Sequence, residues 1–193
     1  MKIYLIRHGE TTGDLENRYG GDYDDSLTEE GLKQAEQLAE ELKDLGIEVI
    51  YSSPLTRARL TTSKLCDKHR CKVVTLPGVK ERNFYGILTG MTKEEAFQKH
   101  ADIVHLLEDR NNTLPGGDSY GDFSSRVEEA WDQITDPTYE TAAVVTHAGP
   151  IRCIFRDILG KGELGKIGDC SYVYLSDESG DWEIMSAKGV QLQ

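Results

Sequence analysis

The chain of 193 residues is poor in three things: cysteine, positive charge and uninterrupted apolar sequence. Its four cysteines, Cys66, Cys71, Cys153 and Cys170, are too few and too scattered for a disulfide framework at this length. They read as reduced thiols. Cys66 and Cys71 flank His69, which raises the question of zinc, but there is no C-x-x-C pair and no second paired cluster, so no structural metal is expected. Lys and Arg number 22 against 34 Asp and Glu, giving a net charge of -12 and a pI near 4.9. That balance argues against a partner held by neutralising many phosphates along a polymer, so no nucleic-acid partner is expected. No apolar run reaches the roughly 18 residues that cross a bilayer. The first residues enter a strand-like segment after one Lys, without the apolar core of a signal peptide. No membrane partner is expected, and the expected location is cytoplasmic. There is no internal repeat, low-complexity tract or long linker, and the length suits one domain.

What the sequence does contain is an alternation of strand and helix signals. Lys2 to Ile6 is a short β-branched and aromatic run that ends in Arg7-His8-Gly9. Thr28 opens a helix whose Leu32, Ala35, Leu38, Ala39, Leu42 and Leu45 recur at helical spacing, and Gly46 is its stop signal. Glu48 to Tyr51 reads as the next strand, and a second helix can begin at Ser52-Ser53-Pro54. Cys71 to Leu76 reads as a third strand. Thr92-x-x-Glu95 resembles a capping box for a helix inside a stretch that is otherwise irregular, marked by Gly86, Gly90 and Pro115-Gly116-Gly117. An amphipathic stripe of Phe123, Val127, Ala130, Trp131 and Ile134 precedes an apolar strand, Ala142 to Val145, that ends at Thr146-His147. A further helix is expected from about Ile151, then two closing strands, Tyr172 to Leu175 and Trp182 to Met185. The expected fold is α/β, with a mostly parallel central sheet covered by helices on both faces. Ligands collect beyond the carboxyl ends of the strands in such sheets, and His8 and His147 both fall at that edge.

Arg7 and His8 emerge together from a strand, and Gly9 lets the backbone approach a ligand. An Arg can grip two phosphate oxygens in a fork while a neutral imidazole nitrogen attacks phosphorus in line. An isolated Arg-His pair more often just ends a strand, with the histidine bonded to backbone. Other residues have to decide between these readings, and their order along the chain does so.

Arg7-His8-Gly9-Glu10-Thr11, Asp25-Ser26-Leu27-Thr28 with Gly31 and Gln34, Ser53-Pro54-Leu55-Thr56-Arg57-Ala58, Glu81 with Tyr85-Gly86, Pro115-Gly116-Gly117-Asp118-Ser119 and Thr146-His147-Ala148-Gly149 follow one another at suitable separations. In this order the chain closely resembles the histidine phosphatase superfamily, in the branch shared with cofactor-dependent phosphoglycerate mutases, over nearly its whole length. Compact members similar to it include alpha-ribazole phosphatases. The resemblance implies a phosphoglycerate mutase-like three-layer sandwich, a single domain over residues 1–193 with a lid-like insertion at about 82–120, and a metal-independent phosphomonoesterase that needs no cofactor. It implies His8 as the nucleophile that carries the phosphoryl group. Arg7, Arg57 and His147 would surround the transferring group, stabilising charge on its equatorial oxygens. Glu81 would protonate the leaving alkoxide and then activate water. Asp14, Asn17, Gly20, Gly21, Tyr85 and Ala148 are the expected substrate-binding residues. Tyr19, Tyr23, Phe84 and Tyr85 are candidates for an apolar wall around the leaving group, and residues 111–118, from Asn111 to Asp118, for a flap.

The chain departs from the family pattern at Asp14, where an Asn that donates to phosphate is usual. A carboxylate about 4 Å from a phosphate oxygen would be repelled by roughly 4 kcal/mol at an effective dielectric of 20. Either Asp14 turns away toward Arg18 or another cation, or it is protonated when substrate is bound, or the substrate presents a donor. Asn17, three residues on, is positioned to supply the missing amide. Smaller departures are Leu60 for a common Gln, Asp118 for Glu and Ala148 for Gly.

The expected substrate is a small phosphorylated metabolite, with alpha-ribazole 5'-phosphate as one candidate. A phosphoglycerate mutase is the first alternative; such enzymes carry longer middle insertions, whereas only some sixty residues separate Glu81 from His147 here. A phosphoryl-binding regulatory module without turnover is the second, and a metallohydrolase built on His8, His147 and nearby carboxylates the third. A homodimer is compatible with the chain, and nothing in it decides the oligomeric state.

Overall fold

In the computed structural model, which describes residues 1–109 and 112–193, the first strand β1 (Lys2–Arg7) divides its side chains between two apolar clusters. Ile3 and Leu5 enter one, Tyr4 and Ile6 the other. A strand buried on both faces belongs in a parallel sheet between two helical layers. The same division holds in β4 (Thr141–Thr146), where Ala142 and Val144 join the first cluster and Ala143 and Val145 the second. With β2 (Val49–Ser52), β3 (Lys72–Thr75), β5 (Leu164–Ser176) and β6 (Glu183–Leu192), these strands form one sheet in the order β3-β2-β4-β1-β5-β6. The four on the β3 side run parallel, and β5 alone runs the other way, pairing antiparallel with both β1 and β6. The expectation of a mostly parallel α/β sheet is met.

One face is covered by α2 (Glu29–Leu42) and α3 (Thr56–His69), which bring Ala35, Leu38, Leu42, Ala58 and Leu65 to the second cluster. Each fully buried leucine there contributes roughly 1.5–3 kcal/mol. α2 starts where the sequence predicts, because the Thr28 hydroxyl accepts from the Gly31 N–H at 2.8 Å. The other face is covered by α5 (Tyr120–Ile134) and α6 (Ala148–Cys153), with Phe123, Val127, Trp131 and Ile151 in the first cluster. A short helix, α1 (Thr12–Leu15), follows the β1 loop.

Several expected boundaries move: the second helix, expected from Ser52-Ser53-Pro54, begins at Thr56 because Ser52 still belongs to β2, and α2 ends at Leu42, before Leu45. The third strand is shorter than 71–76. The helix expected from Ile151 begins three residues earlier, at Ala148, and runs on into a π-helical turn over Ile154–Ile158. The closing strands are far longer than predicted, because β5 and β6 pair along a bulged hairpin whose exposed residues hide the alternation. Between Arg82 and Tyr120 the chain leaves the sheet, and this stretch is less irregular than expected. It contains α4 (Lys93–Val104), opened by the Thr92/Glu95 capping box, and folds around Leu88, Ala96 and Leu114.

Candidate active site

The topology decides which residues meet. β1 and β4 are parallel neighbours with Arg7 opposite Thr146, so the next residues, His8 and His147, leave the sheet side by side, their ring centroids 5.0 Å apart. On the far side of β4, Ser52 lies opposite Val145, and the chain turns through Ser53 into α3. Arg57, in the first turn of that helix, thereby points back at both imidazoles. Its Nε donates to His8 Nε2 at 3.1 Å and to His147 Nδ1 at 3.2 Å.

The remaining bonds set the tautomers. His8 Nδ1 lies 2.8 Å from Gly9 O. A carbonyl can only accept, so Nδ1 carries the proton and Nε2 the lone pair. His147 Nε2 lies 2.7 Å from Ser53 Oγ, and its Nδ1 accepts from Arg57, so there Nε2 is protonated. Burial pushes both imidazoles well below the usual histidine range, and the Arg57 charge adds to the effect. Both rings are neutral near pH 7. Arg57 itself is nearly buried and is held by Tyr23 O (2.5 Å), Gly21 O (2.7 Å) and the Asp25 carboxylate (2.9 Å). Only its Nε edge is left for the cavity.

Arg7 donates to Ile167 O at 2.7 Å and lies 3.1 Å from Asp169 Oδ1, off the hydrogen-bonding direction. Glu81 is held by two backbone N–H groups, Arg82 N to Oε1 at 2.9 Å and Gly149 N to Oε2 at 3.1 Å. A Cβ on Gly149 would come within 2.0 Å of Oε1, so only glycine lets the carboxylate sit there.

Arg7, His8, Arg57 and Glu81 line one cavity of about 200 Å³, and His147 touches it through Arg57. Of the expected substrate-binding residues, Asp14, Gly20, Gly21, Tyr85 and Ala148 line the same cavity. Asn17 does not. It is exposed and adopts a left-handed φ of 52° just past α1, turning it out of register with Asp14. Asp14 does turn aside, but toward Thr11 and not toward Arg18: its Oδ2 accepts from Thr11 N at 3.1 Å and Thr11 Oγ1 at 2.9 Å, closing a capping box on α1. Asn111 lies outside the described residues, and residues 112–118 line neither this cavity nor its neighbour. They hold the Asn83–Ile87 loop instead, through Asp118 N to Asn83 O and Ile87 N to Pro115 O, both 2.9 Å.

A second cavity of about 370 Å³ adjoins the first, sharing Gly21, Glu81, Tyr85 and Ala148, and is walled by Phe84, Tyr120 and Phe123. Tyr19 packs at a tilt against Tyr85, their ring centroids 4.8 Å apart, whereas Tyr23 offers its carbonyl to Arg57. Sequence reasoning missed Arg152 in this second wall. Its signal was its place one helical turn beyond Ala148, on the same side of α6. Among the described residues no group of three or more His, Cys, Asp or Glu is arranged to hold a metal ion, and no helix is long and apolar enough to cross a membrane.

Two neutral imidazoles and two guanidiniums at the carboxyl edge of a doubly covered sheet, with a carboxylate at the rim, define the class: an α/β phosphoryl-transfer site. The chain belongs to the histidine phosphatase superfamily (branch 1), whose sequence profile matches residues 3–188. It is 34% identical over 185 residues to a metal-independent phosphoserine phosphatase of Arabidopsis thaliana, covering 92% of this chain and 77% of that one. It is 32% identical over 167 residues to a probable phosphoglycerate mutase GpmB of Proteus mirabilis, covering 83% and 75%. The alpha-ribazole phosphatase of Shigella flexneri superposes with a TM-score of 0.86 over 97% of this chain and 96% of that one; at 22% identity this speaks for the fold alone.

Proposed function

We propose that this protein is a cytoplasmic phosphatase that hydrolyses a small phosphomonoester through a covalent phosphohistidine on His8. The observation that carries the reading is the His8 tautomer: Nδ1–H is held by Gly9 O, so the lone pair is on Nε2, where it accepts from Arg57 Nε at the wall of the cavity that His8 shares with Arg7 and Arg57. A neutral, pre-aimed nitrogen needs no base to remove a proton before it attacks. Nε2 bonds to phosphorus as the phosphorus–alcohol oxygen bond breaks, and the Arg57 Nε–H turns from the imidazoles to a phosphoryl oxygen. Glu81, at the junction of the two cavities, gives its proton to the leaving alkoxide. Water then enters, Glu81 takes its proton, the oxygen attacks phosphorus, and cleavage of the phosphorus–nitrogen bond frees phosphate and restores His8.

The test uses p-nitrophenyl phosphate and alkyl phosphates, among them O-phosphoserine, alpha-ribazole 5'-phosphate and 3-phosphoglycerate. Glu81→Gln is expected to lose about 10²–10⁴-fold in kcat on alkyl phosphates. With nitrophenolate, which leaves without a proton, the first step survives, and acid-labile phosphate accumulates on His8. A His8→Ala protein with native turnover, or label on another residue, overturns the proposal. Isomerisation of 3-phosphoglycerate faster than phosphate release decides for the mutase alternative.

A further inference from the structure

The second cavity is charged unevenly. Three arginines reach it, Arg82, Arg152 and Arg156. Arg156 is neutralised by Asp157 at 2.7 Å and Glu163 at 2.6 Å. Arg82 is 7% exposed, donates Nε and Nη2 to Asp118 O, and lies against the Phe84 and Tyr120 rings, so it is wall and not contact surface. Arg152 differs from both. Its Nε and Nη2 donate to the carbonyls of Leu164 (3.3 Å) and Gly165 (2.7 Å), and among the described residues no carboxylate lies within ion-pair distance. Burial lowers its pKa, and the carboxylates that oppose this, Glu81 at the mouth of the cavity and then Glu163, act on it only from beyond ion-pair distance. Two of its nitrogens are therefore held by uncharged groups that fix the guanidinium in place, and one unit of positive charge is left facing an aromatic-lined space.

From this we infer that the second cavity receives the alcohol half of the substrate, and that this half carries a carboxylate that docks on Arg152 and a ring that packs among Phe84, Tyr85 and Tyr120. The inference rests on the phosphatase reading above and names its substrate class. One guanidinium with no paired carboxylate and one nitrogen not held by a carbonyl suits a monoanionic carboxylate better than a second phosphate, which would call for more donors. A volume of about 370 Å³ exceeds what a three-carbon alcohol fills and falls within the range of pockets that enclose ring-bearing ligands. The shared boundary at Glu81 puts the scissile oxygen between the two cavities, phosphate on one side and ring on the other.

The experiment compares phenyl phosphate, its 3- and 4-carboxy derivatives and O-phosphoserine by phosphate release. In the wild type at least one carboxyphenyl isomer should exceed phenyl phosphate tenfold or more in kcat/KM, mostly through KM, as expected for a charged hydrogen bond. Arg152→Gln should bring that ratio close to one, and Arg152→Lys should restore part of it. Binding to the wild type gives an arm independent of any variant: benzoate should compete with phenyl phosphate more strongly than its neutral isostere benzamide. A ratio near one for both isomers, a ratio that survives Arg152→Gln, or equal inhibition by benzoate and benzamide overturns the carboxylate site. O-phosphoserine turned over faster than both carboxyphenyl isomers overturns the ring. No phosphate release from any of the four esters would instead be a failure of the phosphatase reading itself.

Discussion

Arg57 has its two Nη groups committed to Tyr23, Asp25 and Gly21 before any ligand arrives, which holds the guanidinium in the cavity wall and leaves its Nε–H to exchange the imidazole nitrogens for a phosphoryl oxygen. Preorganised donors of this kind act most strongly where water is excluded. Asp14 presents the opposite case, a carboxylate on the same cavity wall whose charge has no evident use. Its Oδ2 serves Thr11, and an asparagine Oδ1 can accept the same two bonds. Asp14→Asn is therefore expected to keep kcat/KM for p-nitrophenyl phosphate within a few-fold of the wild type and to leave folding intact. Loss of all turnover in that variant would mean that the carboxylate itself takes part in the reaction.

At the scale of elements, the loop after β1 is clamped to the start of α2 by the absence of two side chains. A Cβ on Gly31 would meet Glu10 O at 2.1 Å, and one on Gly9 would meet Gly31 O at 2.6 Å. The loop being clamped is the one that carries His8, so overpacking here moves the nucleophile as well as the helix. Gly31→Ala should lower stability in urea by about 1–3 kcal/mol and reduce kcat more than it raises KM. Unchanged stability and turnover would show that the contact yields freely. Elements of this kind were legible in sequence where one periodicity ruled: β1, β4, α2 and α5 appear close to where their apolar patterns put them. The β5/β6 hairpin was mostly hidden because β6 is largely exposed and alternates poorly, whereas the start of α4 was legible through its Thr92/Glu95 capping box and only its extent was not, because it packs on a small satellite cluster and shows little apolar face. The meeting of His8, Arg57 and His147 was legible through motif order. The partners that orient them were less so: Ser53 and Asp25 stood in the motifs without a role, and Arg152 lay outside them. Those contacts depend on strand order, which no local pattern states.

For the molecule as a whole, placing two neutral imidazoles in the interior makes folding itself sensitive to acid. His8 is 5% exposed and His147 fully buried, and the native pKa of each lies well below its unfolded value of about 6.5. Above that value neither state binds the proton, and stability is complete. As pH falls through it, the unfolded chain takes up protons that the native state refuses, so stability is lost until the depressed native pKa is reached. The slope is about 1.4 kcal/mol per pH unit for each histidine, close to double that for both. Urea midpoints measured between pH 7.5 and 5, above most carboxylate titration, should fall steadily in the wild type, and the fall should be much shallower in a His8→Asn, His147→Gln double variant. Equal slopes in the two proteins would mean that the rings are not held neutral. The attacking Nε2 lone pair would then be occupied by a proton through much of that range, because the burial that destabilises the protein in acid is the same burial that keeps His8 ready to attack phosphorus.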